Sequence, residues 1–161
     1  RKRRVMVLRS FTKSFSIPGL RLGYLIGHKE TVRILKAAQE PWRINSLACA
    51  AGCEAAMDFM YMKGVREIIE VERNFLFSEL GKMMCIKLFP SQANFIFGAL
   101  CNIRMDAKTL SEKLAMRGIL IRDLTNVRGL DSRFFRFAVK RRNENERLIA
   151  ALGDILLSES H

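Results

Sequence analysis

What constrains this chain most is a strand-like run that feeds straight into reactive side chains. Residues 5–8, VMVL, are apolar and partly β-branched, bounded by charge before and by RSFTKSFS after. Such a run reads as a short buried strand, so it is expected to stop where Ser10, Thr12, Lys13 and Ser14 begin. Ile17-Pro18-Gly19 signals a turn, after which Leu20, Leu22, Tyr24 and Ile26 alternate up to Gly27, the period of a second strand. Chemistry is therefore expected at a strand end, in the connection between two strands.

Helical spacing follows. Residues 29–39 carry Val32, Leu35 and Ala38 on one side, and Pro41 ends the run. Asn45 is a candidate cap for an Ala-rich helix over 46–62, which Gly64 is expected to break. A long connecting helix is predicted over 65–84, with Ile68, Val71, Phe75 and Leu76 on its apolar stripe and Glu72 elsewhere. Beyond it, residues 94–100, 119–121 and 134–139 read as strands, 107–117 as a helix closed by Gly118, and 144–157 as a last helix. That order predicts an α+β lobe with helices on one face of a small sheet, divided from the first part near residues 61–65.

The 161 residues include 28 Lys and Arg against 16 Asp and Glu, a net charge of +12, yet 49% of them are hydrophobic. The charge thus rides on a folded core rather than on a disordered polycation. It suits nucleic acid, an anionic membrane or phosphorylated small molecules. The weakly polar stretch 44–62 holds Glu54 and Asp58, each costing about 3 kcal/mol in lipid, so no membrane span is expected. The start, RKRR then VMVL, lacks the apolar core of a secretory leader, and four cysteines without disulfide spacing fit a reducing compartment. A cytoplasmic location is expected. Cys49 and Cys53 stand four apart on a predicted helix; with no second Cys or His pair, they are expected to pack in the core rather than hold a metal. His28 and His161 alone are too little for a histidine-based triad or multi-histidine metal site. Catalysis then falls to Lys, Arg, Asp or a cofactor.

Lys13 meets that requirement. It follows a strand, with the hydroxyls of Ser10 and Thr12 three and one residues before it and Arg21 eight after it. The amine can condense with an aldehyde while hydroxyls and guanidinium hold a phosphate, which suits a phosphorylated aldehyde cofactor. The stretch from Ser10 to Tyr24 resembles the pyridoxal-phosphate lysine motif of the fold-type I aminotransferases. By that resemblance Lys13 holds pyridoxal 5'-phosphate covalently, and Ser10, Thr12 and Arg21 contact the cofactor phosphate.

Three further segments narrow the resemblance: QEPWRIN at 39–45, GILIRD at 118–123 with Asn126, and FRFAV at 135–139 followed by NEN at 143–145 and Arg147-Leu148. They look like the threonine-phosphate decarboxylase family of cobalamin biosynthesis, a close relative of the histidinol-phosphate aminotransferases, with departures at Leu124 and Thr125. The resemblance implies a homodimer acting on a phosphorylated amino acid, either decarboxylating O-phosphothreonine to an aminopropanol phosphate or transferring an amino group. Arg136 sits where this superfamily holds the substrate α-carboxylate, and a planar guanidinium offers the two parallel hydrogen bonds a carboxylate accepts. Arg122 either helps bind the substrate phosphate or pairs with Asp123 or a neighbouring carboxylate, and Asn45 either approaches the substrate or cofactor or caps its helix. A different class is a basic nucleic-acid-binding module using RKRR and Lys140-Arg141-Arg142, which lacks zinc spacing, ribonucleoprotein aromatics and a recognition helix.

In this superfamily the acid that pairs with the pyridine nitrogen, the ring-stacking aromatic and the phosphate-cupping loop all lie upstream of the lysine. The resemblance therefore implies an α/β and α+β arrangement that matches the C-terminal half of a fold-type I enzyme. Residues 1–62 would be the end of the large cofactor domain, and 63–161 a connecting helix with the small domain. Isolated, that half is expected to catalyse poorly and, with sheet surface uncovered, to self-associate.

Overall fold

The computed structural model describes residues 5–158, which fall into two compact units divided between Val65 and Arg66. The basic RKRR run and His161 lie outside the described residues. In the first unit, β1 (Val7–Ser10) pairs antiparallel with β2 (Gly23–Ile26), Val7 opposite Ile26 and Ser10 opposite Gly23. Between them come one helical turn, α1 (Phe11–Ser14), and a 3-10 turn, Pro18–Leu20. Two glycines let these pieces close. A Cβ on Gly23 would stand 2.7 Å from the Arg9 carbonyl oxygen, and one on Gly52 would stand 2.5 Å from a Leu22 methyl carbon.

The strand expected to be buried is not. Leu8 is 75% exposed and Val7 45% exposed, because among the described residues β1 and β2 form a two-stranded sheet with no layer covering these side chains. Helices α2 (Lys29–Ala37) and α3 (Ser46–Met57) follow. The helix predicted over 46–62 stops early at Asp58, whose φ of −87° and ψ of 74° leave the helical region. Its Oδ1 then accepts the Tyr61 N–H at 2.9 Å, starting α4 (Phe59–Leu80). Gly64 lies inside α4 and breaks nothing.

The second unit holds a four-stranded antiparallel sheet in the order β3 (Ile86–Phe89), β4 (Phe95–Leu100), β6 (Phe134–Ala138), β5 (Arg122–Asp123). Strand β3 was not expected from the sequence. Ile96, Phe135 and Phe137 pack with Leu76 and Leu80 of α4, with Leu110 and Leu114 of α5 (Ala107–Ala115), and with Leu148, Leu152 and Ile155 of α6 (Arg142–Ser158). Alternate strand positions point the other way. There Phe97 stacks on Phe134 at 5.4 Å and leans on Phe89 at 4.7 Å.

Residues 119–121, expected as a strand, do not pair with the sheet; the pairing is made by Arg122 and Asp123 instead. The cause is local. The Ile119 N–H donates to the Leu114 carbonyl at 3.0 Å and Ser111 Oγ donates to the Ile121 carbonyl at 3.3 Å, so this backbone is spent on closing α5. Gly118, at φ +72°, makes the turn. No helix of the described residues is long and apolar enough to cross a membrane.

Candidate active site

Antiparallel pairing puts the end of β1 and the start of β2 at the same end of the small sheet. That end carries Ser10, the last residue of β1, with Thr12 and Lys13 on the α1 turn that follows it, and Arg21, which closes the 3-10 turn two residues before β2. Ser10 caps α1, its Oγ accepting the Thr12 N–H at 3.2 Å, and the Phe11 N–H donates to the Leu22 carbonyl at 3.1 Å. Phe11, 6% exposed, is the anchor: its ring lies 5.3 Å from Phe15 and 5.4 Å from Tyr24. Burying Phe11 while keeping Lys13 exposed, two residues along one turn, turns the amine outward.

Arg21 is held in the left-handed region at φ +52°, ψ 45°, a conformation that costs a non-glycine residue about 1 kcal/mol or more. Its Nη1 donates to the Pro18 carbonyl at 3.3 Å. The result is an exposed amine, two hydroxyls and a guanidinium at one sheet end. That donor set fits a phosphorylated aldehyde: the amine for the carbonyl, the hydroxyls and guanidinium for the phosphate.

Asn45 caps α3, its Oδ1 accepting the Ala48 N–H at 2.8 Å, which leaves the amide NH2 as the group able to face a ligand. Cys49 and Cys53, expected in the core, are exposed and line an apolar pocket with Phe11, Leu22, Tyr24 and Ile44. Helix α3 approaches the sheet through Ala48 and Gly52, which turns the two thiols to the rim. Among the described residues no group of three or more metal-ligating side chains forms.

In the second unit, Arg136 sits on β6, flanked by Phe97 on β4 and by Arg122 on β5 in direct register. The Asp123 Oδ1 accepts from the Thr125 N–H at 2.8 Å and from its hydroxyl at 2.6 Å, and Asp123 makes no ion pair with Arg122. Nearby cations are neutralised: Arg133 by Asp131, Lys140 by Glu144 and Arg142 by Glu72. Among the described residues Arg122 and Arg136 have no carboxylate partner. Two of the three cations of the 140–142 run are thus already paired, which weakens it as a nucleic-acid surface.

One cluster escaped the sequence reasoning. Glu72, expected off the apolar stripe, is 7% exposed, while Ile68 and Val71 are exposed. It accepts from Arg142 Nε at 3.1 Å and from Asn145 Nδ2 at 2.9 Å, and the Arg142 guanidinium stacks 3.6 Å from the Phe75 ring centroid. Asn145 also bonds both backbone groups of Lys140, so the turn from β6 into α6 is pinned to α4. The Arg142 hydrogen bond, with Asn145 and outweighing burial, holds the Glu72 carboxyl below its usual range. The spacing of Glu72 to Leu76 and Leu80, the buried residues of α4, was the available signal.

The family model described as aminotransferase class I and II matches residues 1–152. A threonine-phosphate decarboxylase of Salmonella typhimurium is 35% identical over 153 residues, covering 94% of this chain and 41% of that protein. A histidinol-phosphate aminotransferase of Caldanaerobacter subterraneus is 38% identical over 152 residues, covering 94% and 42%. The solved histidinol-phosphate aminotransferase of Clostridium acetobutylicum superposes with a TM-score of 0.87 at 34% identity, over 95% of this chain and 46% of that one. The chain therefore spans about two fifths of the length of the curated relatives it matches.

Proposed function

We propose that this chain, which belongs to the aminotransferase class I and II family, carries the lysine and the substrate-binding arginines of an enzyme that decarboxylates O-phospho-L-threonine to an aminopropanol phosphate for cobalamin biosynthesis. Members of the family are pyridoxal-phosphate-dependent, and the chain's helices and antiparallel sheets match those of fold-type I structures. The observation that carries the proposal is the gathering of Ser10, Thr12, Lys13 and Arg21 at one sheet end. When bound, pyridoxal phosphate supplies an electron sink for the substrate Cα.

The chain's own groups then have assigned tasks. Lys13 holds the cofactor and, once displaced by the substrate amine, takes or gives a proton at Cα. Ser10, Thr12 and Arg21 hold the cofactor phosphate, and Asn45 offers its amide to the substrate. Arg136 grips the α-carboxylate through its planar fork, and Arg122 takes the substrate phosphate. The angle at which Arg136 holds the carboxylate decides whether the bond to carbon dioxide or the bond to hydrogen breaks. The working unit is a homodimer.

A second reading, amino transfer of the histidinol-phosphate type, is favoured by the Caldanaerobacter relative and the Clostridium structure. Feeding carboxyl-labelled O-phospho-L-threonine, with pyridoxal phosphate, to the full-length enzyme that carries this half separates the two. Release of labelled carbon dioxide supports decarboxylation. Keto-acid-dependent amino transfer with the label retained overturns it.

A further inference from the structure

The geometry points to Phe95 as a positioning residue for Arg136: its ring, not a carboxylate, holds the guanidinium ready for an incoming anion. The inference rests on the assignment of Arg136 to the substrate carboxylate. Arg136 is the centre of a cross-strand triplet, with Phe97 opposite it on β4 and Arg122 opposite it on β5. Opposed residues on antiparallel strands stand about 5 Å apart, and like charges there repel. The Arg136 side chain accordingly lies toward β4, where its Cζ is 5.2 Å from the centroid of Phe95, two residues diagonal to its direct partner.

What sets Arg136 apart is that its ring contact comes without a carboxylate, whereas Arg142 stacks on Phe75 and is also paired with Glu72. Arg133 and Arg142 direct their N–H groups into Asp131 and Glu72, which consumes their forks. A ring takes a guanidinium by its face and leaves the in-plane N–H donors unspent. A carboxylate in place of Phe95 would hold Arg136 more firmly and compete with the substrate. With no partner at all, two arginines in register would spread apart and lose orientation. The ring supplies direction without occupying the edge that binds. Phe95 is partly exposed, at 37%, so its role does not come from filling the core.

The test uses the arginine Nε–Hε signals of the protein in NMR, titrated with O-phospho-L-threonine. In the wild-type protein the Arg136 Hε should carry an upfield ring-current shift and move on titration. Phe95→Leu and Phe95→Met, which keep bulk and remove the ring, should abolish the shift and weaken binding about three- to tenfold. Phe95→Tyr should keep the shift and bind within about twofold of wild type. Unaltered affinity in both ringless variants, with binding lost in Arg136→Lys, overturns the role of Phe95 and leaves the assignment of Arg136 standing. Unaltered affinity in Arg136→Lys overturns that assignment itself.

Discussion

Arg122 and Arg136 stand directly opposite one another on the antiparallel strands β5 and β6, and neither has a carboxylate partner among the described residues. Two cations in register cost folding energy, and no carboxylate among the described residues offsets it. Removing the exposed member should therefore separate stability from function. Arg122→Gln is expected to stabilise the protein by about 0.2–1 kcal/mol and to weaken binding of a phosphorylated amino acid about tenfold. Denaturant melts and calorimetric titration with O-phospho-L-threonine, set beside unphosphorylated threonine, check both halves.

The buried Glu72 carboxylate makes stability depend on acid. Its native pKa is depressed, chiefly by the Arg142 hydrogen bond, so its contribution is complete above about pH 4.5, its ordinary value, and is lost as the pH falls through the native value. Glu72→Gln should cost about 1–3 kcal/mol near neutrality, and the gap from wild type should close as the pH falls below the ordinary carboxyl value of 4.5 and through the lowered native one. Urea unfolding across that range measures it. A gap that stays constant would mean Glu72 acts by packing alone.

Two glycines should respond with opposite signs. Gly23→Ala drives a Cβ against the Arg9 backbone beside the Ser10 pairing, so it should destabilise by about 1–3 kcal/mol and impair cofactor binding. Gly64→Ala enters open space inside α4 and should stabilise by about 0.5–1 kcal/mol. Thermal melts of the two variants, with cofactor binding measured for Gly23→Ala, decide the pair.

The parts of this molecule that were legible in the sequence are those written in local chemistry. The strand–turn–strand around Lys13 follows from alternation and Pro18-Gly19, and the cap at Asn45 and the turn at Gly118 follow from residue type. The misses have tertiary causes. Asp58, not Gly64, ends α3, because a side chain that caps the next helix outweighs a glycine that a helix tolerates. Residues 119–121 have strand composition, but their backbone groups are taken by α5. Glu72 looked like a solvated carboxylate because its partners lie 70 and 73 residues away. Phe95 and Arg122 owe their relation to Arg136 to sheet register, which no local pattern reports.

Every role proposed for this chain depends on Lys13 taking pyridoxal phosphate. Borohydride reduction of the protein loaded with pyridoxal phosphate, followed by peptide mapping, tests it most directly. One pyridoxyl group is expected, on Lys13, and none in Lys13→Ala, which should fold as the wild type does because the side chain is exposed. A pyridoxyl group on any other lysine, or undiminished labelling of Lys13→Ala, would contradict it.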